Sequence, residues 1–235
     1  LPIWDRAAAY IQRYDYARAA EIYGRLASVK EPRFGDMEGA ANSYFQMRDF
    51  SSAEIWYAKV VEHPDHKAEH LLRYADLLKA NGKYKEAQAQ YRTYAEQTGK
   101  PAEVALKIAG CDSALVWIAN PKKYILRNEE AVNTTASEFS VSVLGNTAYY
   151  AGEQVQGAGA TDTYGWTGRP FLKVYQTKAD QQNALSVPSL VHTDINDPRF
   201  HVGPVASPDG GKTLYVTRTY TGKEYGKEIE GGKKY

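Results

Sequence analysis

The residues whose spacing comes closest to a metal site are two histidines. His66 and His70 are four residues apart, so a helix places both rings on one face, where two imidazoles can share a zinc ion. The chain has no His-Glu-x-x-His motif. The alternative is a polar helix start that Asp65 caps and Glu69 supports. We predict this alternative and no bound metal.

Other residues that carry chemistry lack the pattern that each chemistry needs. The stretch Gly157–Gly168 has neither P-loop nor G-x-G-x-x-G spacing, and no serine lies in G-x-S-x-G. Residues 194–197 offer oxygen ligands but not in the EF-hand order, which favours a loop cap before Pro198. His192 and His201 are predicted to be strand or loop residues. We predict no catalytic residue and no cofactor.

Composition narrows the classes of partner. The 235 residues include 29 basic and 28 acidic ones, a balance that gives no electrostatic reason to expect nucleic acid or an anionic membrane. No run of eighteen apolar residues is present, so no transmembrane helix is predicted. The single cysteine, Cys111, allows no disulfide within the chain. We predict that it is a buried, small, apolar residue.

A 34-residue period runs through the first hundred residues. The aligned sets are Ala7, Ala41 and Ala75; Tyr10, Tyr44 and Leu78; Tyr16, Phe50 and Tyr84; Ala19, Ala53 and Ala87; and Tyr23, Tyr57 and Tyr91. The alanines predict two closely packed helices per unit, and the ring four residues later fills the space beside the next pair. One pair cannot bury its apolar face alone, so pairs stack. We predict units at about 1–31, 32–65 and 66–99 and a closing helix at 102–119.

These repeated positions resemble the tetratricopeptide repeat family. The resemblance implies a helical solenoid over residues 1–120, whose first helices line a concave groove. By repeat position, the partner-binding residues of that groove are Trp4, Ile11, Gln12, Glu38, Asn42, Phe45, Gln46, Leu72, Asp76 and Lys79. Trp4, Ile11 and Phe45 are the apolar anchors expected of a peptide-binding surface. For Trp4 and Ile11 the alternative is the core of a capping face.

After Asn120-Pro121 the helical spacing ends. Alternating patterns predict strands at 124–126, 139–144, 147–151, 171–175, 190–192, 200–206 and 213–218. Gly145-Asn146 joins one hairpin, and Pro208-Asp209-Gly210 forms the turn of another. The predicted fold class is therefore α+β and multidomain, with an all-α solenoid followed by all-β propeller blades.

The Ser207–Lys212 turn with its flanking strands resembles the WD40-like propeller repeats of periplasmic proteins. The resemblance implies that residues 121–235 begin a β-propeller and hold about one and a half blades. Propellers close with about four to eight blades, and a part-propeller exposes its edge strands. We therefore expect the sequence to be a fragment of a longer chain.

The order of the modules resembles a multidomain envelope family of the Bacteroidota, which includes the PorE component of the type IX secretion system and ends in an OmpA-like peptidoglycan-binding domain. The resemblance implies a noncatalytic protein–protein interaction scaffold in the periplasm, associated with the outer membrane, that links the secretion machine to the cell wall. Its partners are then proteins of an outer-membrane or periplasmic complex, with no nucleic acid, and with peptidoglycan bound only by domains absent from this chain. The alternative is a glycan- or peptidoglycan-binding module that acts through the propeller face, and an enzyme with a regulatory propeller is a third class.

Overall fold

The computed structural model describes residues 2–153, 163–180, 182, 184–192, 194–219, 229–230 and 233–234. The chain divides into two compact units. The first comprises Leu1–Tyr124 together with Gly165–Gly168, and the second comprises Ile125–Tyr164 and Arg169–Tyr235. Seven helices precede the antiparallel strands within the described residues, so the predicted α+β class is confirmed.

The helices of the first unit follow one another in a single series, and each packs on the next in sequence. Their bounds are α1 Ile3–Gln12, α2 Tyr16–Ala27, α3 Phe34–Gln46, α4 Phe50–Glu62, α5 Ala68–Ala80, α6 Tyr84–Thr98 and α7 Pro101–Ala119. The helices α2, α4 and α6 begin at intervals of 34 residues, as do α3 and α5. In the described part of the chain, no helix combines the length and hydrophobicity that a bilayer span requires.

The turns between paired helices share one backbone conformation. Tyr14, Arg48 and Gly82 occupy the same repeat position, and their φ angles are 59°, 60° and 78°. In the first two turns, Asp15 and Asp49 then cap the second helix by accepting from the N–H three residues further on. The left-handed residue reverses the chain, and the aspartate starts the next helix.

The small residues of the repeat lie where the helices approach most closely. Six alanines are 0% exposed: Ala7, Ala19, Ala41, Ala53, Ala75 and Ala87. The rings of Tyr57 and Tyr91 are also 0% exposed, whereas Tyr23 is half-buried against Gly39, where a Cβ atom would lie 2.7 Å from its ring. Cys111 is buried, as predicted.

The second unit is built from antiparallel strands. Their bounds are β1 Glu138–Leu144, β2 Thr147–Glu153, β3 Thr163–Tyr164, β4 Arg169–Pro170, β5 Leu172–Lys178, β6 Ser189–Leu190, β7 Val202–Ala206, β8 Tyr215–Arg218, β9 Ile229–Glu230 and β10 Lys233–Lys234. The main sheet has the order β1-β2-β5-β6, and three two-stranded sheets pair β3 with β4, β7 with β8 and β9 with β10. Both predicted hairpins, β1–β2 and β7–β8, are present.

Two strand predictions need correction. Tyr124–Leu126 is not a strand: Ile125 and Leu126 are fully exposed or nearly so, and no described strand pairs with them. Three alternating residues without a hydrogen-bonding neighbour do not form a ladder. The predicted strand at 190–192 is shorter and earlier, as β6. The Gly- and Thr-rich composition of residues 157–168 predicts a long loop; residues 157–162 lie outside the described residues, and Thr163–Tyr164 is a strand, β3.

Buried polar side chains hold the centre of the second unit together. Asn196 accepts from the N–H of Val174 and donates to the carbonyls of Val174 and Val191, each at 2.8 Å. Lys173 is 5% exposed and donates to two main-chain carbonyls at 2.8 Å. Before Pro198, Asp197 accepts from the N–H of Arg199, as predicted for a loop cap, and the hydrogen bonds from Arg199 lower the pKa of Asp197 to about 2.

Candidate partner-binding face

The helices α1, α3, α5 and α7 meet through polar side chains. Trp4 of α1 donates from Nε1 to Asp36 of α3 at 3.1 Å. His70 of α5 and Glu38 of α3 are joined at 3.0 Å, and Lys107 of α7 donates to Asp76 of α5 at 2.6 Å. We define the first-helix face by the residues that make or flank these contacts: Trp4, Asp36, Glu38, Asn42, Phe45, His70, Arg73, Asp76, Lys79 and Lys107.

Two tyrosines of the intervening helices reach this face with their hydroxyl groups. Tyr57 donates to Oδ1 of Asn42, and Tyr91 donates to Oδ1 of Asp76, both at 2.5 Å. Burial raises the pKa of Tyr57 to about 12. Burial and the hydrogen bond to Asp76 raise the pKa of Tyr91 well above its usual value. Both hydroxyls therefore stay protonated donors that fix the side chain in front of them.

The centre of the face joins an aromatic ring, a cation and an amide. The guanidinium carbon of Arg73 lies 4.7 Å from the centre of the half-buried Phe45 ring, a cation–π distance. Asn42 lies three residues before Phe45 on the same helix and is half-buried. Within the described residues, its Nδ2 atom makes no hydrogen bond. Such a cluster can bind an apolar side chain and a peptide carbonyl side by side.

Several predicted groove residues meet on this face. Glu38, Asn42, Phe45 and Asp76 make the contacts given above. Lys79 reaches α7, where its Nζ atom lies 3.0 Å from the position a Cβ atom would take at Gly110. These residues thus form one surface, and their role in binding a partner stays a prediction.

Of the remaining predicted groove residues, Trp4 also belongs to this face, whereas Leu72, Ile11, Gln12 and Gln46 have other surroundings. Trp4 is 42% exposed, lies under the Arg33 guanidinium at 4.0 Å and is bound to Asp36, so it is a surface residue held by α3. Leu72 is half-buried against the core between α5, α6 and α7, as Phe45 is against the core cluster of the preceding helices. Ile11 is half-buried and Gln12 is exposed. The side chain of Gln46 makes none of these contacts, but its main-chain carbonyl accepts from Trp166.

Four members of the face were missed by sequence reasoning: Asp36, His70, Arg73 and Lys107. A signal for two of them was present, because Arg73 and Lys107 are 34 residues apart and both are basic. The other two also share a repeat position, where one is an acid and the other a histidine. Their importance comes from the neighbouring helix that each one contacts, which the period alone does not specify.

The histidine pair considered as a metal site is held apart by other partners. His66 bonds through Nδ1 to the carbonyl of His63 at 2.8 Å, whereas Nδ1 of His70 accepts from the N–H of Lys67 at 3.0 Å. The predicted cap by Asp65 is wrong, because α5 begins at Ala68 and the residue before it is Lys67. Among the residues that the structure describes, no group of three or more His, Cys, Asp or Glu side chains is placed to hold a metal ion.

The remaining two histidines considered above lie in the second unit. His192 is exposed, and Nδ1 of the half-buried His201 accepts from the N–H of Leu172 at 3.0 Å. That unit also has a cavity of about 320 Å³, lined by Thr134, Glu138, Tyr150, Glu153, Tyr175 and Leu190 among others. Its two tyrosine rings are stacked, with centres 5.3 Å apart and planes at 15°. Burial raises the pKa of Tyr150 to about 12.

No protein-family model matches the chain, and no curated protein matches it. The observations from which a function can be argued are therefore internal to the molecule. They are the 34-residue period, the contacts of the first-helix face and the cavity of the second unit.

Proposed function

We propose that this protein is a noncatalytic scaffold that binds a segment of a partner protein on the first-helix face. The observation that carries the proposal is the arrangement of Asn42 between Tyr57 and Phe45. The Tyr57 hydroxyl occupies Oδ1 of Asn42, which leaves Nδ2 as the donor for a partner carbonyl. The ring of Phe45 beside it offers an apolar anchor, the type of residue on which binding energy concentrates.

The charges of the face suit a segment of mixed polarity. Asp76 is paired with Lys107, and Glu38 with His70, so these carboxylates are held in place by neighbouring helices. The exposed Arg73 covers Phe45 and can exchange that contact for a partner's aromatic ring or carboxylate. We infer a partner segment that carries both an apolar and an acidic side chain.

We extend the proposal to the architecture and the location. Helix starts 34 residues apart and the shared left-handed turn residue support a tetratricopeptide solenoid for the first unit. The four-stranded antiparallel sheet of the second unit has the size of one propeller blade. The order of these modules supports a periplasmic, outer-membrane-associated component of the type IX secretion system that links the machine to the cell wall.

A crosslinking experiment tests the scaffold function. The photoreactive residue p-benzoylphenylalanine replaces Arg73 on the first-helix face or, as the matched control, Ile55 on α4; both positions are exposed. In the envelope fraction of a bacterium that has the type IX secretion system, we expect a discrete protein adduct from position 73 alone. An adduct from position 55 alone, or from neither position, contradicts binding on this face. An adduct with a protein outside the secretion complex contradicts the envelope assignment only.

A second candidate function is glycan or peptidoglycan binding by the second unit. The cavity beside Tyr175 favours it. A tyrosine ring can stack on the apolar C–H face of a sugar, and the carboxylates of Glu138 and Glu153 can accept hydrogen bonds from its hydroxyl groups. The test is cosedimentation with purified peptidoglycan. Retention that Glu138→Gln abolishes and that Arg73→Gln preserves supports this function, and lack of retention of the unmodified chain rejects it.

A further inference from the structure

Within the first unit, the segment Gly165–Gly168 lies against the turn between α1 and α2 and against the end of α3. The Trp166 ring stacks on Tyr14, with centres 5.8 Å apart and planes at 8°. It meets Tyr16 edge-on, at 5.0 Å and 73°. Its Nε1 atom donates to the main-chain carbonyl of Gln46 at 2.7 Å. The indole is therefore held by a stacked ring, a perpendicular ring and a hydrogen bond, each from a different residue.

The backbone of the segment is recognised as well. Ala17 lies in the first turn of α2, where main-chain N–H groups have no partner within the helix. Its N–H donates to the carbonyl of Gly165 at 3.0 Å. The segment thus satisfies a donor that the helix leaves unpaired, and the position of the carbonyl fixes the register of Trp166.

The two glycines that flank the tryptophan permit this close approach. A Cβ atom at Gly168 would lie 2.9 Å from Cβ of Ala17, and the φ of this glycine is +71°. A Cβ atom at Gly165 would lie 3.0 Å from Cγ of Asp15. A side chain at Gly168 would crowd Ala17 and would also be strained by this backbone conformation.

We propose that Tyr14, Tyr16, Ala17 and the Gln46 carbonyl form a tryptophan-binding site, distinct from the first-helix face. Its ligand class is a tryptophan in a glycine-flanked turn, and Gly165–Gly168 is the ligand that the chain itself supplies. Phenylalanine lacks the donor for the carbonyl, so the site discriminates for indole. Tyr14 remains 62% exposed with the ring in place, so the site is open on one side.

The repeat provides an internal reference for this site. The positions of Tyr14 and Tyr16 are occupied by Arg48 and Phe50 in the second turn, and by Gly82 and Tyr84 in the third. A tyrosine at both positions occurs only in the first of these turns. The binding site is therefore a feature of the first turn and not of the shared repeat.

The test uses the full chain with Trp166→Ala, which removes the internal ring, and the peptide acetyl-Gly-Trp-Thr-Gly-amide as the probe. Binding is measured by calorimetry, after circular dichroism has established that helicity is unchanged. We expect saturable binding to the Trp166→Ala chain, at least about tenfold weaker binding to the unmodified chain, and a similar loss when Tyr14→Ala is added to Trp166→Ala.

A matched peptide with phenylalanine in place of tryptophan tests the hydrogen bond to Gln46. We expect it to bind the Trp166→Ala chain about tenfold more weakly, because the indole donor is lost. The inference is overturned if the tryptophan peptide does not bind the Trp166→Ala chain, binds the unmodified chain equally, is insensitive to Tyr14→Ala, or binds no better than the phenylalanine peptide. If Trp166→Ala changes helicity, the same comparison is made with Trp166→Leu, which also removes the internal ring.

Discussion

Helices α5 and α7 occupy equivalent places in the repeat but have different neighbours. On α5 the side that faces α6 is buried, at Leu71, Ala75 and Leu78. The residues 34 positions later on α7 are exposed: Ala105, Ala109 and Asp112. The small alanine of the repeat is present on both helices, yet within the described residues only α5 is followed by a helix that packs on it. Burial in this array is therefore set by the next helix, not by the residue type at the position.

The prediction with the largest expected effect tests this difference between α5 and α7 directly. Ala75 is 0% exposed, so Ala75→Trp forces a large ring into a closely packed contact. Overpacking of this kind lowers the unfolding free energy by about 1–3 kcal/mol or more. Ala109→Trp is the matched control at the exposed position, where we expect a change within about 0.5 kcal/mol. Urea unfolding followed by circular dichroism measures both. Equal losses at the two positions would mean that α7 is covered on this side.

Alkaline pH tests how much two buried tyrosines contribute to stability. Tyr57 and Tyr150 have pKa values raised by burial to about 12, so the folded state keeps them neutral above pH 10, where the unfolded chain ionises them. Their contribution to stability is fully present below pH 10 and is lost as the pH rises towards 12. We expect the urea midpoint to fall over this window, less so in Tyr57→Phe. A midpoint that is flat from pH 9 to 12 is the contrary result.

The second and third helix pairs differ in the acceptor for their buried tyrosine. Tyr91 donates to the carboxylate of Asp76, and Tyr57 donates to the amide of Asn42. Bonds to charged groups contribute about 1.5–3 kcal/mol, against about 0.5–1.5 kcal/mol for neutral ones. We therefore expect Tyr91→Phe to lower the unfolding free energy more than Tyr57→Phe. The opposite order would show that Lys107 alone satisfies Asp76.

The last prediction concerns the turns. Gly82→Ala places a side chain at a φ of 78°, where L-residues lose about 1–2 kcal/mol, although nothing lies within 4 Å of the new atom. Gly35→Ala is the control within α3, where the same change is expected to stabilise by up to about 1 kcal/mol. Thermal unfolding of the two variants should shift in opposite directions. Shifts of the same sign would mean that the third turn does not depend on its left-handed residue.

The helices could be predicted because each position of the repeat is sampled three times. Alanines and rings recur at fixed intervals, so the register of α2, α4 and α6 follows from the sequence alone. The polar contacts of the first-helix face could not be predicted in the same way. Pairs such as Phe45 with Arg73 depend on how far one helix is displaced along the next, which the period leaves undetermined.

Strands that pair across a short turn could be predicted, whereas contacts between distant segments could not. The β1–β2 and β7–β8 hairpins have their turn residues between the paired segments, so sequence identifies both partners. Tyr124–Leu126 is predicted as a strand, but no described strand pairs with it, and it has no regular secondary structure. The contact of Trp166 with Gln46 joins residues 120 positions apart, and nothing in either segment alone indicates the other.

The last helix of the first unit contains a residue, Cys111, whose rate of chemical labelling reports local opening of the fold. Cys111 is the only cysteine of the chain, it is 0% exposed, and burial raises the pKa of its thiol. A thiol reagent in solution can reach it when α7 separates from the buried cluster that it forms with α5 and α6, so the labelling rate reports the frequency of that opening. Because α7 packs mainly on α6 within the described residues of the first unit, this opening should occur more often than unfolding of the whole unit. One unmodified residue thus makes the fraying of the array measurable in the native protein.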